Sequence, residues 1–269
     1  MPGEQNVTKP VSFTRQREDV VLHRVLGGMT KGFYIDLGAN HPVHSSATKM
    51  FDDLGWDGVT VEPNPLFSEA FAELRKHGRH LEAAVSDASG KRTFYLVEND
   101  PALSTLDEDQ ANTYRRRGFL VREKSVQVTT LREICELYVE EAPIDFLKID
   151  VEGFEAEVLR GADFTRWRPT IVVVEAVRPY SSIQTHKGWE KILLSHDYSE
   201  VLFDGVNRFY LAAERADLKD VISYPACILD KYISHEECLL ADYRRFGRTA
   251  LAAAKCVQVI IGLLRPSSS

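Results

Sequence analysis

Several features that would assign this chain to a particular class are missing from it. No apolar stretch approaches the roughly 20 residues that a membrane-spanning helix needs. The four cysteines are far apart, with neither a CxxC pair nor a zinc-type spacing. The net charge is −7, which argues against a dedicated nucleic-acid binder. The first ten residues lack the apolar centre of a signal peptide. Together these absences predict a cytoplasmic protein.

What the chain does have is an alternation of strand and helix patterns. Apolar strand-like runs are predicted at 33–37, 58–61, 80–85, 144–149 and 170–174, with a further short strand at 93–97. Helical patterns separate them, and such alternation is typical of parallel strands in an α/β fold. Two antiparallel strands, 198–203 and 208–212, are predicted around Asp204-Gly205, a strong hairpin signal. The expected fold is therefore a mostly parallel twisted sheet with a C-terminal antiparallel hairpin and helices on both faces.

The domain organisation follows from the same pattern. Residues 1–12 are predicted to be disordered, 13–230 to form the α/β domain, and 231–269 to form a C-terminal helical extension, with a helix over 235–264. That helix is interpreted as a packing or dimerisation element, so a homo-oligomer is possible through it. The polar segment 98–124 is expected to be a lid or substrate loop with some helix, because long loops in compact domains are usually functional or disordered.

Acidic residues fall at the predicted carboxyl ends of the parallel strands. They are Asp36, Glu62, Asp150 and Glu175. In an open α/β sheet these ends form one rim, where ligands bind. Glu62 lies 26 residues after Asp36, close to the spacing at which an acidic residue holds a ribose hydroxyl pair in nucleotide-type sites. Pro63 and Asn64 continue from Glu62 as a turn. Gly38 permits a tight turn after the first strand and a close backbone approach to a ligand.

The glycines after that first strand limit the choice of ligand. The sequence from Gly38 reads GANHPVH, without the second and third glycines of G-x-G-x-x-G, and the chain has no G-x-x-x-x-G-K-[ST] motif. The ligand is thus expected to carry a ribose but no phosphates, which fits S-adenosylmethionine. Two alternatives remain open: a nicotinamide-dependent oxidoreductase, which the missing glycines disfavour, and a non-catalytic binding protein with the same fold.

Three residues on the rim are candidates for a general base that takes a proton from an acceptor hydroxyl: His41, Asp150 and Glu152. His41 has a suitable ordinary pKa, but it is equally well a capping or loop histidine. Asp150 and Glu152 could act as base, hold substrate hydroxyls or bind a divalent metal through oxygen. Alternatively, Glu152 caps the following helix, and Asp150 pairs with Lys148, which lies on the same strand face.

Further residues could recognise the acceptor. Glu175 and Arg178 follow the fifth strand and either contact an acceptor sugar or form a surface pair. The cluster Arg115 to Arg117 is a solvated loop face or a site for a phosphate or carboxylate on the acceptor.

The motifs GFYIDLGANHP, GWDGVTVEPNP, AAVSD, IDFLKIDVEGFEAEVLRG and FDGVNRFYL together resemble the FkbM family of S-adenosylmethionine-dependent methyltransferases, over residues 13 to about 212. The resemblance implies a Rossmann-like methyltransferase fold and O-methylation of a sugar, glycan or glycosylated natural product. It also implies a set of cofactor contacts: Asp36, Gly38 and Asn40 at the methionine end, Glu62 at the ribose, and Ala84, Val85 and Ser86 near the adenine. Where this family often has S-Q-x-G-E-D, only Glu18 and Asp19 match strictly.

Overall fold

The computed structural model describes residues 9–139 and 142–246, which divide into two compact units. One unit is Phe13–Cys227, and the described part of the other is 9–12 with 228–246. The strands are β1 (Val11–Ser12), β2 (Phe33–Leu37), β3 (Asp57–Val61), β4 (Arg79–Leu81), β5 (Ala84–Ser86), β6 (Gly90–Val97), β7 (Val121–Thr130), β8 (Phe146–Ile149), β9 (Ile171–Glu175), β10 (Tyr198–Phe203), β11 (Asn207–Ala212) and β12 (Ile233–Ser234).

Helices connect most of these strands. The α-helices are α1 (Glu18–Leu26), α2 (Lys49–Asp53), α3 (Ser68–Leu74), α4 (Glu108–Arg116), α5 (Leu131–Tyr138), α6 (Glu155–Arg160), α7 (Glu190–Leu194), α8 (Lys219–Ile222) and α9 (His235–Phe246). Short 3-10 helices span Pro101–Leu103, His186–Gly188, Ala213–Leu218 and Ile228–Asp230. Helix α5 begins at Leu131 because Thr130 and Glu133 form a capping box. No helix within the described residues is both long and apolar enough to cross a membrane.

The larger unit is a mixed α/β structure built on a seven-stranded sheet. Its strand order is β10-β11-β9-β8-β2-β3-β4. Strands β9, β8, β2, β3 and β4 are parallel to one another, and β11 runs antiparallel to both β9 and β10. Successive strands are added to the sheet from β2 towards β4 on one side and from β8 towards β10 on the other. The order therefore reverses between β2 and β8, and open α/β sheets bind ligands at such a point.

Both faces of the central strands are covered, which explains their continuous apolar sequence. On one face, Ile35 and Leu37 belong to a core that includes residues of α5, α6 and α7. On the other face, Tyr34 stacks on Phe146, and Phe51 of α2 packs against Phe146. Because side chains alternate along a strand, Asp36 and Lys148 lie on the same face as Tyr34 and Phe146.

A second sheet corrects two sequence predictions. The predicted strand 80–85 is two strands, β4 in the large sheet and β5 in a three-stranded sheet of order β5-β7-β6. The predicted polar loop 98–124 contains the whole of α4 and the first residues of β7, which pair with β6. Polar residues form a strand here because several of them face solvent while β6 supplies the hydrogen bonds.

The smaller unit corrects part of the prediction of disorder. Residues Val11–Ser12, predicted to be disordered, pair in parallel with Ile233–Ser234. A partner this distant in the sequence cannot be read from local composition. Residues 1–8 and 247–269, which carry the rest of the predicted disordered segment and of the predicted C-terminal helix, lie outside the described residues.

Candidate active site

A cavity lies at the carboxyl ends of the strands, where the sheet order reverses. It is lined by Glu18, Asp36, Gly38, Ala39, Asn40, Ser45, Ala47, Val61, Glu62, Pro63, Ala83, Ala84, Val85, Phe94, Pro101, Ala102, Ser104, Leu106, Lys148, Asp150, Val151, Glu152 and Phe154. Most of the residues predicted to form the site are in this lining. Of those predicted to bind the cofactor or to act as base, three are not among the lining residues: His41, Asn64 and Ser86. The predicted rim residue Glu175 is not among them either.

Glu62 is placed by the end of β3 and held by two backbone amides. Its Oε2 accepts a hydrogen bond from the Asn40 amide at 3.0 Å, and its Oε1 accepts one from the Asn64 amide at 2.8 Å. Asn64 therefore acts on the site through its backbone. Glu62 is 6% exposed, and burial raises its pKa to about 7. Each carboxylate oxygen retains a second acceptor position, so the side chain can still accept a pair of hydroxyl protons.

Asp36 is buried at the end of β2 against α2. The Thr48 hydroxyl donates to its Oδ2 at 2.7 Å, and burial raises the pKa of the carboxyl above its ordinary value. In the sheet register Asp36 lies beside Lys148. The Lys148 ammonium donates to Oδ2 of Asp150 at 2.9 Å, and this neighbouring carboxylate holds the pKa of Lys148 above its usual range despite burial. Lys148 is the only basic residue among the described residues that line the cavity.

Three carboxylates gather at the carboxyl ends of β8 and β9. Asp150, Glu152 and Glu175 each offer an oxygen within 4.8 Å of the others. Burial and the neighbouring Asp150 charge raise the pKa values of Glu152 and Glu175 well above the ordinary value. Among the described residues, Oε2 of Glu152 has no hydrogen-bond partner. The cluster is thus able to accept a proton or to bind a cation.

No side chain of the described residues caps α6, so the alternative that Glu152 caps this helix is wrong, and the carboxylate of Glu155, the first residue of α6, closes the turn before it. Glu155 Oε1 accepts hydrogen bonds from the amides of Gly153, at 3.0 Å, and Val151, at 3.4 Å. This leaves the Glu152 carboxylate unused by the helix. The Glu152 backbone is instead fixed by the segment 98–124, because Thr105 Oγ1 and Gln110 Nε2 donate to its carbonyl at 2.7 and 3.2 Å. That segment therefore forms part of the site.

His41 has a local structural role in the loop after β2. Its Nδ1 accepts hydrogen bonds from the amides of Val43 and His44, both at 3.0 Å. Burial lowers its pKa to about 4. These contacts fit the capping or loop alternative for this residue.

Two arginines of the cluster Arg115 to Arg117 contact neighbouring side chains of the protein itself. Arg115 pairs with Glu123 at 2.8 Å, and Arg116 donates to the Thr113 hydroxyl at 2.8 Å. These two contacts fit the solvated-face alternative. Arg178 is exposed at the surface.

The sequence interpretation missed several lining residues. Glu18 comes from α1, and Phe94 and Leu106 come from β6 and the segment after it. For Glu18 a signal exists, since it is one of two strict matches to the amino-terminal family pattern. For Phe94 and Leu106 no local signal exists, because an apolar residue on a cavity wall looks like any core residue.

Comparison with known proteins identifies one family. The model of the methyltransferase FkbM domain matches residues 36–200, more than half of the chain. No curated protein matches the chain.

Proposed function

The chain belongs to the FkbM methyltransferase family, and from that premise we propose that it is an S-adenosylmethionine-dependent O-methyltransferase. Its acceptor is a hydroxyl group of a sugar, glycan or glycosylated natural product. One observation carries the proposal: the buried Glu62 carboxylate lines the cavity at the strand-order reversal, held there by the amides of Asn40 and Asn64. That is the place and the chemistry expected for a ribose site.

The cavity walls fit the remaining parts of the cofactor. Ala83, Ala84, Val85 and Phe94 provide apolar surface for an adenine ring. Acidic residues outnumber Lys148 in the lining, which suits a ligand with a positive charge. No basic residue other than Lys148 lines the cavity within the described part of the chain, so a pyrophosphate has little to bind to. This is the physical reason for preferring a methyl donor over a dinucleotide.

The cofactor supplies a methyl group that is already activated as part of a sulfonium ion, so the protein contributes mainly position and proton transfer. Glu152 is our assignment for the general base. Its Oε2 has no hydrogen-bond partner in the described residues, and burial next to Asp150 raises its pKa. A carboxylate with a raised pKa is better matched to accepting a proton from an alcohol near neutral pH. Asp150, held by Lys148, orients the acceptor hydroxyl.

Asp150, Glu152 and Glu175 also form an all-oxygen donor set of the kind that Mg²⁺ and Ca²⁺ prefer. Calorimetric titration with Mg²⁺ separates the two roles. Binding that disappears in Glu175→Gln assigns the cluster to a metal, whereas no binding leaves Glu152 as the base.

An aromatic surface beside this cluster supports a sugar acceptor. Tyr180 is 69% exposed and stacks on Phe119 with ring centroids 6.5 Å apart. The Tyr180 hydroxyl donates to Asp100, and the Glu152 charge acts on it. The apolar faces of sugar rings pack on such exposed aromatic rings.

Calorimetric titration of S-adenosylmethionine tests the cofactor assignment directly. We expect the unmodified protein to bind S-adenosylmethionine. The affinity of Glu62→Ala should be weaker by about tenfold or more, because charged hydrogen bonds to the ribose are lost. Equal affinity of both proteins would contradict the role of Glu62. Absence of binding would contradict the proposed function.

Turnover then identifies the acceptor. Glycans and metabolites from cells with and without the gene are compared by mass spectrometry, and a species heavier by about 14 daltons marks the methylated product. Release of S-adenosylhomocysteine with that acceptor distinguishes an enzyme from a binding protein of the same fold.

A further inference from the structure

The first turn of α1 carries two adjacent acidic residues with different surroundings. Asp19 is fully buried, and its two oxygens accept hydrogen bonds from the Phe13 amide at 2.6 Å, the Thr14 hydroxyl at 2.9 Å and the Val20 amide at 2.9 Å. These contacts fix the path of the chain into the helix. Asp19 is therefore fully used by the fold.

Glu18 differs because one of its oxygens is left without a partner. The residue is 7% exposed and lines the cavity together with Asp36 and Gly38. Within the described residues, Oε2 of Glu18 accepts no hydrogen bond. Burying a carboxylate oxygen without a donor is costly, and burial raises the Glu18 pKa to about 7. A ligand that brings a donor into the cavity would remove this cost.

Lys148 does not meet that need. Its ammonium is hydrogen-bonded to Asp150, and it acts on Glu18 only through its charge. The position is therefore open to a second cationic donor from the ligand.

We propose that the Glu18 carboxylate binds the protonated amino group at the amino-acid end of S-adenosylmethionine. The inference rests on the proposed function. The cofactor has two positive groups, but a sulfonium carries no N–H or O–H bond and cannot donate a hydrogen bond to an oxygen. An ammonium has three N–H donors. An unpartnered carboxylate oxygen thus selects the ammonium.

The electrostatic neighbours of Glu18 separate it from the ribose position. Lys148 and Asp19 act on Glu18, whereas Asp36 and Asp150 act on Glu62. The two carboxylates come from different elements, α1 and the end of β3. Glu18 and Glu62 are thus assigned to different parts of one extended ligand.

Four adenosine-containing ligands allow the contribution of the amino group to binding to be measured. S-adenosylhomocysteine and its decarboxylated form both carry it, while 5′-methylthioadenosine and deaminated S-adenosylhomocysteine do not. Each ligand is titrated calorimetrically into the full-length protein and into Glu18→Gln, which keeps the size of the side chain and removes its charge. We expect Glu18→Gln to weaken the first two ligands by about 10- to 100-fold. The other two are expected to bind both proteins within about twofold.

Unchanged 5′-methylthioadenosine binding shows at the same time that the variant is folded. Equal losses for all four ligands, or no loss for any, would overturn the assignment of Glu18. If no ligand binds to the unmodified protein, the proposed function fails instead.

Glu152→Gln is the matched comparison, because it also neutralises a carboxylate with an unpartnered oxygen in the same cavity. If Glu18 contacts the amino group directly, only Glu18→Gln weakens the ligands that carry this group more than the ligands that lack it. The same discrimination in Glu152→Gln would mean that the overall negative charge of the cavity is responsible, and would contradict a contact through Glu18.

Discussion

Gly38 and Asp150 pack backbone against backbone at the base of the cavity. A Cβ atom placed on Gly38 would lie 1.7 Å from the Asp150 carbonyl oxygen, and Gly38 has a φ of +77°. The Asp150 amide also donates to the Leu37 carbonyl at 2.9 Å. The loop after β2 and the acidic residues after β8 are therefore held together by main-chain contact. The sequence predicts a glycine at this position for a tight turn and for a close approach to a ligand. The positive φ fits the turn, and the atom that a Cβ would meet is the Asp150 carbonyl oxygen of the chain itself.

Gly38→Ala is expected to be among the most destabilising single substitutions in this protein. The added methyl group meets a main-chain oxygen that cannot rotate away, and the left-handed backbone adds strain. We expect a loss of about 4 kcal/mol or more in the free energy of unfolding, measured by urea denaturation. Gly28→Ala is the matched control, because a Cβ there has nothing within 4 Å, and we expect a change within about 0.5 kcal/mol. Similar stabilities for the two variants would contradict the contact.

The sequence predicted the central strands well because their patterns are local. The runs at β2, β3, β8 and β9 are mostly apolar, and acidic residues lie at or near their carboxyl ends. Parallel pairing then places Asp36 and Glu62 on one rim without knowledge of any long-range contact.

The sequence predictions that were wrong concern elements that depend on partners distant in the sequence. Strand β1 exists through pairing with β12, and β7 exists through pairing with β6. The carboxylate of Glu155 accepts a hydrogen bond from the turn at Gly153, which has a φ of +103°. From the sequence, Glu152 is a candidate cap of α6, because the turn whose amides bind Glu155 instead cannot be read from VEGFE alone.

Stability is expected to fall as the pH rises towards neutrality. Burial raises the Glu62 pKa from its ordinary value of 4.5 to about 7, so the folded protein holds this proton more tightly than the unfolded chain. Between about pH 4.5 and pH 7 the folded state binds more protons, and the free energy of unfolding decreases with pH. Glu62→Gln should make this decrease shallower by at most about 1.4 kcal/mol per pH unit.

Urea denaturation at several pH values between 5 and 8 measures this slope. Glu69→Gln is the control, because Glu69 is exposed on α3, and its curve should follow that of the unmodified protein. A slope that Glu62→Gln leaves intact would show that Glu62 does not titrate in this window.

Glu155→Ala is expected to loosen the turn before α6. Its carboxylate accepts from the Gly153 and Val151 amides, and both amides lose their partner in the variant. We expect a loss of about 1–2 kcal/mol in the free energy of unfolding, together with faster hydrogen exchange at these two amides. Glu157→Ala, which removes an exposed pair with Arg160 in the same helix, should cost less than about 1 kcal/mol. Exchange rates equal to those of the unmodified protein would mean that these two hydrogen bonds are not formed.

Substitution of Glu152 is expected to slow methyl transfer strongly, whereas substitution of His41 is expected to have little effect on the rate. The His41 Nδ1 already accepts two backbone hydrogen bonds, and its pKa is lowered to about 4, so a proton accepted near neutral pH would not be retained. Glu152 presents an unpartnered oxygen to the cavity. The substrate for this assay is the acceptor found by mass spectrometry. Glu152→Gln should lower kcat by about 10²- to 10⁴-fold. Its affinity for the cofactor should stay within about threefold of that of the unmodified protein. His41→Asn should keep kcat within about threefold, because an amide oxygen can still accept from the loop amides. The rate of S-adenosylhomocysteine release measures both variants, and a large loss in His41→Asn with little loss in Glu152→Gln would transfer the role of base to the histidine.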